Sequence, residues 1–476
     1  MPVEYPKVGQ SPSACKIGLV DVTTAKTNWL SIPGDPRQHY IVRLEYVPGT
    51  NDLLLQQLNR KQNESKLYRY AAATGTATVI STESDPQAWV DVFSSDNPYA
   101  VDFKHTFDWL GGGKEILWAS EKDGWRHLYR VDTNGKKETL VTAGNYDLIS
   151  LENIDEKTGY VYFIASPSNA TQKYLYRTKL DGKGKPELVT PAGLTGTHDY
   201  NISPGAKFAF HTFSNTYTKP VGEMISLAKH TPVVANESIA AKLSKVQEEK
   251  AAEFFTVKTS DGVEMDGWMV KPANFDASKK YPVVFYVYTE PAATTANDSY
   301  GSSQNFLYAG DMREDGYIYI SLDNRGTPAN KGAAWRKAIY RKVGVVNIRD
   351  QAMAAKEILK WPFVDSDRIA VWGWSGGASA TLNLMGQYPD IYKTGIAVAA
   401  VTNLLTYDNI YQERYMGLPQ ENLEDFVKGS PITYAKNIKG NLLYIHGTGD
   451  DNVHYQNAEM LLNELVKNNI QFQFMA

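Results

Sequence analysis

The spacing of hydrophobic and polar positions changes near residue 250. Before residue 230, apolar residues alternate with polar ones over short runs, turn signals such as Asn134-Gly135 and Asp181-Gly182 separate the runs, and helical periodicity is almost absent. That texture predicts an all-β region. Leu67-Tyr68-Arg69, Leu128-Tyr129-Arg130 and Leu175-Tyr176-Arg177 recur within it, each ahead of a polar turn and another strand, and looser matches begin near Leu19 and Met224. The intervals run roughly 48, 61, 47 and 49 residues, near the length of a four-stranded propeller blade, so about five blades fit. A β-sandwich with accidental recurrence of the tripeptide is the competing reading.

Residues 236–252 are rich in Ala, Lys and Glu and contain no Gly or Pro, which predicts a helical connector between a β-region, 1–235, and a second region, 253–476. In the second region strand-like runs at 281–288, 317–322, 368–373 and 442–446 alternate with helical stretches. This is the pattern of a mostly parallel sheet covered by helices, an α/β domain. One helix near 347–360 places Ile348, Ala352, Ala355 and Leu359 on a single face.

Composition narrows the function classes. A chain of 476 residues is long enough for two or three folding units, and 42% hydrophobic with 12% aromatic content fits a globular protein rich in strands. With 49 basic and 53 acidic residues, bulk charge favours neither nucleic acid nor an anionic membrane surface as partner. Cys15 is the lone cysteine, which excludes an internal disulfide and any multi-cysteine metal site. No run approaches the roughly 18 apolar residues of a spanning helix, and residues 1–25 carry neither the basic start nor the apolar run of a signal peptide. The histidines of the β-region are scattered singly, with no i, i+4 pair and no adjoining carboxylate cluster, so none reads as a metal ligand.

Gly373-Trp374-Ser375-Gly376-Gly377 matches G-x-S-x-G between an apolar strand and a helical run that begins near Ala378. The bare pattern is weak and also suits a serine in any glycine-rich turn; the strand-turn-helix context is what lifts a serine oxygen clear of a sheet. In this architecture an acid follows the nucleophile in a loop after a later strand, and the run 442–446 leads into Gly447-Thr448-Gly449-Asp450-Asp451. Two adjacent carboxylates compete for the role, against the plain alternative of a solvated acidic turn. A catalytic histidine must come after the acid, and only His454 does. Four residues downstream, beside a helix start near Gln456, it reads as a loop histidine, while His446 reads as a strand-end histidine held by hydrogen bonds.

Two longer stretches are more specific: Tyr411-Gln412-Glu413-Arg414-Tyr415-Met416-Gly417-Leu418-Pro419 and His446-Gly447-Thr448-Gly449-Asp450-Asp451-Asn452-Val453-His454. Together with Trp374 beside the serine, and Tyr281-Pro282 leading to Val287-Tyr288, they make nearly the whole chain resemble the prolyl oligopeptidase family, in the bacterial form of its dipeptidyl peptidase IV branch. The resemblance implies a β-propeller (here partial) with an α/β-hydrolase domain, and release of dipeptides from peptides with a free N-terminus, preferably after proline. Carried over, Ser375 is the nucleophile, Asp450 orients the histidine, and the Tyr288 hydroxyl and Gly376 amide form the oxyanion hole. Val401, Tyr407, Tyr411 and Val453 line the proline pocket, Asn452 touches the substrate backbone and Arg414 supports the site. No cofactor or metal is implied; a homodimer and a periplasmic or secreted location are. Flat aromatic walls suit a rigid pyrrolidine ring, although Tyr407 and Tyr411 also read as an i, i+4 pair on a buried helix face.

The chain departs from the family pattern at several points. Thr289-Glu290-Pro291 stands where a glycine usually follows the oxyanion tyrosine, and Leu404 replaces a pocket aromatic. The acidic pair that grips the substrate amine has no counterpart here. Met1-Pro2-Val3-Glu4-Tyr5-Pro6-Lys7 resembles an internal propeller segment, and 470–475 resembles the last core strand, shortly after which the family places its histidine. The expectation is a piece truncated on both sides and nearly inactive alone, since loss of a triad member costs on the order of 10⁴ to 10⁶ in turnover. An oligopeptidase or acylaminoacyl peptidase on the same scaffold, and a non-catalytic peptide-binding homologue, are the alternative readings.

Overall fold

A computed structural model describes residues 5–92, 107–245, 252–303, 307–308 and 310–476. Among them the β-region forms four four-stranded antiparallel sheets, each a meander of consecutive strands, spanning residues 39–84, 107–140, 148–188 and 197–232. A two-stranded sheet, Gly18–Val20 with Thr27–Trp29, precedes them. A sandwich would gather these strands into two sheets; successive separate meanders are the repeat of a β-propeller.

The Leu-Tyr-Arg repeat has a physical cause. Its three copies fall in Glu64–Ala71, His127–Asp132 and Tyr174–Lys179, the third strand of three successive sheets. Leu67, Leu128 and Leu175 are fully buried, while Arg69, Arg130 and Arg177 pair with Asp52, Glu115 and Glu187. The looser match at Met224 also lies in a third strand, Val221–Ser226. Among its described residues the expected connector holds the end of a 3-10 turn, Ala235–Glu237, and one short helix, Ile239–Leu243. Residues 246–251 lie outside the described residues, and Ala252 already begins a strand.

The remainder is an eight-stranded sheet: β1 (Ala252–Lys258), β2 (Glu264–Val270), β3 (Tyr281–Tyr286), β4 (Ile318–Leu322), β5 (Val364–Trp374), β6 (Thr394–Val398), β7 (Asn441–Ile445) and β8 (Gln473–Met475). Its spatial order is β1-β2-β4-β3-β5-β6-β7-β8, antiparallel at β1-β2-β4 and parallel from β4 onward. This is the α/β-hydrolase arrangement. The helix expected over 347–360 runs Val346–Ile358 and buries Ile348, Ala352 and Ala355 completely, with Leu359 as its C-terminal cap. Side chains from one face of the sheet form the main core around Val283, Phe285, Ile320, Val371 and Tyr444, while Trp268, Val270, Tyr319, Val284 and Tyr286 of the opposite face form a second cluster.

The chain packs as two units that do not follow chain order. The first comprises Met1–Ala165, Tyr176–Glu187 and Asp408–Asn422; the second comprises Ser166–Leu175, Leu188–Tyr407 and Leu423–Ala476. Within the second, Asp298 accounts for part of this grouping. Its carboxylate accepts from Gln172 Nε2 (2.8 Å) and the Thr216 N–H (3.1 Å), and its backbone bonds Thr171 and Thr197.

Candidate active site

Strand β5 ends at Trp374 and a helix, Gly376–Gln387, starts two residues later, so Ser375 alone makes the turn, at φ 57° and ψ −120°. Left-handed backbone costs an L-residue roughly 1–2 kcal/mol. Hydrogen bonds hold it: the Ser375 N–H donates to the Val398 carbonyl (2.9 Å), and its carbonyl accepts from Ala378 N–H (2.9 Å) and Ser379 N–H (3.0 Å). Distance explains the flanking glycines. A Cβ on Gly377 would lie 2.1 Å from the Val287 carbonyl oxygen, and one on Gly373 would lie 2.5 Å from the same atom. Only bare backbone permits the end of β3 to come this close to the elbow.

That approach places Tyr288. Val287 N–H donates to the Trp372 carbonyl (3.0 Å), and the Tyr288 Cα would be 3.3 Å from a Cβ on Gly377. Gly376 opens the helix, where N–H groups have no intrahelical acceptor and the helix dipole favours negative charge. The departure at 289 is now physical: Thr289 sits at φ 74°, where a glycine would be unstrained. Its Oγ1 accepts from Asn347 Nδ2 (2.9 Å) and its carbonyl from Asn324 Nδ2 (3.0 Å), which offset the strain. Glu290 is buried, and its carboxyl carbon stands 2.8 Å from where a Cβ on Gly376 would project.

The loop that carries Asp450 and Asp451 follows β7. Asp450 Oδ1 accepts from the N–H groups of Asn452 (3.0 Å) and Val453 (2.9 Å), whereas Asp451 is exposed, so the loop holds Asp450 in one orientation. His446 is fully buried and committed to structure. Its Nε2–H donates to the Val453 carbonyl (2.7 Å), its Nδ1 accepts from the Tyr444 hydroxyl (2.9 Å), and the Asp450 carboxylate lies 3.7 Å from Nε2. The His454 carbonyl accepts from Asn457 N–H (2.9 Å) as the helix Gln456–Lys467 begins.

Two further residues, Ser379 and Asn457, tie these loops together, and motif reading missed them. Ser379, one turn beyond Ser375, donates to the Val401 carbonyl (3.0 Å). Asn457 Oδ1 accepts from Thr402 N–H (3.0 Å) and Thr406 Oγ1 (2.9 Å), fixing the loop after β6 on the helix that follows the Asp450 loop. The Tyr407 hydroxyl donates to Asn452 Oδ1 (3.0 Å). Ser375, Gly376, Tyr288, Val401, Tyr407, Asp450, Asn452 and Val453 thereby share the carboxyl edge of the parallel strands, where open α/β sheets bind ligands. Polar residues on post-strand loops were the available signal.

Tyr411 and Arg414 belong to the first unit. The helix Asn409–Met416 is capped by Asp408, whose Oδ1 accepts from Tyr411 N–H (2.8 Å). Tyr407 precedes it, so the reading of Tyr407 and Tyr411 as one helix face is incorrect. Instead Tyr411 packs edge-on against Tyr415 (4.8 Å between ring centres), and Tyr415 against Trp89 (4.9 Å). Arg414 Nε donates to Gln62 Oε1 (2.6 Å), and fully buried Glu413 pairs with Arg60 (2.8 Å) while accepting from Gly9 N–H (2.9 Å).

The histidines of the β-region require a second correction. His105 lies outside the described residues, but His198, His211 and His230, scattered along the sequence, are neighbours in the last four-stranded sheet. Glu223 joins them. Cross-strand register, which sequence spacing does not display, supplies the cluster.

Comparison with known proteins places these features among peptidases. Residues 303–476 match the prolyl oligopeptidase family, and residues 1–220 match the dipeptidyl peptidase IV N-terminal region. The chain is 27% identical over 477 residues to a probable dipeptidyl peptidase 4 of Arthroderma benhamiae, covering 98% of this chain and 60% of that protein. A probable dipeptidyl peptidase 4 of Emericella nidulans is 28% identical, with 98% and 61% covered. The chain therefore spans about 60% of the length of the curated relatives it matches. The crystal structure of Porphyromonas gingivalis dipeptidyl peptidase 4 superposes with a TM-score of 0.86 at 31% identity, covering 99% of this chain and 64% of that one. A putative dipeptidyl aminopeptidase IV from Bacteroides ovatus gives the same TM-score at 26% identity, covering 99% and 67%.

Proposed function

From the premise that the chain belongs to the prolyl oligopeptidase family of serine peptidases, on its dipeptidyl peptidase IV branch, we propose that it is part of an enzyme that removes dipeptides from free peptide N-termini, preferably after proline. The observation that carries this reading is the strained Ser375 elbow, packed through bare glycine backbone against the end of β3. Ser375 Oγ attacks the scissile carbonyl. The Gly376 N–H and the Tyr288 hydroxyl receive the developing oxyanion, worth on the order of 3 kcal/mol per donor in comparable sites. Asp450, oriented by the two N–H groups of its own loop, fixes the tautomer of the histidine that takes the serine proton.

Neither histidine near the acid serves as that base. His446 has both ring nitrogens engaged, and His454 lies only four residues beyond Asp450. A polypeptide confined to residues 1–476 is therefore expected to turn over substrate on the order of 10⁴- to 10⁶-fold more slowly than an intact serine peptidase. Val401, Tyr407 and Val453 form the wall for the residue before the cut, with Asn452 on the substrate backbone. Leu404, buried and aliphatic, offers a less flat surface than an aromatic, which loosens the proline preference.

The test uses the polypeptide as its source organism makes it. A Gly-Pro-p-nitroanilide substrate should be cleaved and its N-acetyl derivative refused, with a fluorophosphonate probe labelling Ser375. Equal cleavage of the acetylated substrate overturns the dipeptidyl reading in favour of an oligopeptidase. Absence of both labelling and cleavage in the intact product overturns the enzyme reading altogether.

A further inference from the structure

The last four-stranded sheet holds a polar cluster for which peptidase chemistry has no use. Strand register builds it: Tyr200 pairs with His211 across one ladder, and His211 pairs with Glu223 across the next. His198 enters from the first strand, Thr197–Ile202, and His230 from the turn after the third. His198, His211 and Glu223 are buried, and the Tyr200 and His211 rings stack 4.4 Å apart.

Following the protons through the cluster exposes a shortage of donors. His198 Nε2 lies 2.9 Å from the Leu194 carbonyl, which can only accept, so this nitrogen carries the hydrogen and Nδ1 is left as an acceptor. His211 Nε2, 2.9 Å from that Nδ1, must donate. A neutral His211 then presents a bare Nδ1, and what it faces at 2.9 Å is Glu223 Oε1. Two lone pairs do not bond. The other carboxylate oxygen is already used, accepting from Ile239 N–H at 3.0 Å. The pair therefore needs one positive species, either an extra proton or a metal ion.

The third member distinguishes these. A proton shared by His211 and Glu223 requires no further ligand, yet one donor atom each of His211, Glu223 and His230 lies within 4.8 Å of the others. We propose that His211, Glu223 and His230 form a structural site for a divalent ion of the zinc type. Imidazole nitrogen with carboxylate oxygen is a zinc donor set, and bonds of about 2.0–2.1 Å put tetrahedral neighbours about 3.4 Å apart, so shifts of about 1 Å close the site. Outer partners are in place: His198 bonds the far nitrogen of His211, and the Tyr200 hydroxyl lies 2.9 Å from His230 Nε2. The bound ion cross-links the strands Phe208–Ser214 and Val221–Ser226 with the turn at His230. This inference is independent of the peptidase reading.

The test is titration of the chelator-treated full chain with Zn²⁺ alone by calorimetry, with Co²⁺ as a visible probe. One equivalent should bind with a Kd below about 1 µM, and the Co²⁺ form should show the intense visible bands of a low-coordinate ion. Glu223→Gln, which keeps the shape and the acceptor for Ile239, and His230→Gln should each weaken binding by roughly 100-fold while the circular dichroism spectrum stays unchanged. If a variant fails to fold, the wild-type Co²⁺ spectrum and the bound zinc content of the protein as purified still decide. Absence of uptake by the wild type, or uptake that both folded variants retain, overturns the proposal and leaves an imidazolium–carboxylate pair.

Discussion

The elbow at Ser375 and the histidine sheet at residues 197–232 both hold polar groups in a fixed arrangement, and they do so by opposite means. At the elbow the fixing elements are backbone atoms: the Val287 carbonyl against Gly377, the Val398 carbonyl on the Ser375 N–H, and a helix N-terminus beneath. In the sheet the backbone is an ordinary antiparallel ladder, and the arrangement is made by side chains that register brings face to face. The difference teaches where each fails. A backbone-built site cannot accept added volume, whereas a side-chain-built site accepts volume more readily and cannot accept a changed count of donors and acceptors.

The largest expected effect tests the first half of that contrast. Gly377→Ala puts a methyl carbon 2.1 Å from the Val287 oxygen; it should destabilise the chain by about 3 kcal/mol or more and abolish fluorophosphonate labelling of Ser375. A urea midpoint near wild type would show that the elbow yields and would break the comparison.

Asp323 lies between the two modes, a side-chain carboxylate held by the N–H groups of Thr295 (2.8 Å) and Ala296 (3.0 Å). Burial pushes its carboxyl up to about 6, against an ordinary 3.8. With the folded value raised, the native state binds more protons between the two values, so the contribution of this group to stability is fully present below pH 4 and is lost as pH rises through about 6. The fall from this group is on the order of 3 kcal/mol. Urea unfolding of the wild type and Asp323→Asn from pH 4 to 7 should show a flatter slope in the variant; equal slopes would assign the pH dependence elsewhere.

Smaller effects sharpen the second half. Tyr200→Phe removes the hydroxyl shared with Thr190 Oγ1 (3.0 Å) and His230 Nε2 (2.9 Å) without changing the ring stack. It should cost about 1 kcal/mol and lower the melting temperature by a few degrees. Thr289→Gly should change stability least, within about 1 kcal/mol, because relief of left-handed strain opposes loss of the Asn347 hydrogen bond. A cost above about 2 kcal/mol would mean that the side chain, rather than the backbone, holds that turn.

The same contrast explains what could be read along the chain. Gly373, Ser375 and Gly377 are legible because a turn between consecutive elements involves residues adjacent in sequence. The Leu-Tyr-Arg repeat was legible because one buried leucine and one paired arginine recur at the same strand of successive sheets. His211, Glu223 and His230 were not, since their spacing matches no helix or loop motif and their meeting depends on which strand pairs with which, and in what register. Asn457 escaped for a similar reason, its role being to bridge two loops that the sheet order makes neighbours.

By itself the sequence determined the alternation that makes the β-region, the change to an α/β pattern, the glycine-flanked turn at Ser375 and the loop that holds Asp450, all of which rest on interactions between residues near in the chain. Only the tertiary structure decided that segment 408–422 packs with the β-region and segment 188–235 with the hydrolase sheet, that Thr289 bears positive φ, and that His211 and His230 meet Glu223. Those outcomes follow from long-range register and burial, where the partner of each residue is set by the whole sheet and not by its neighbours in sequence.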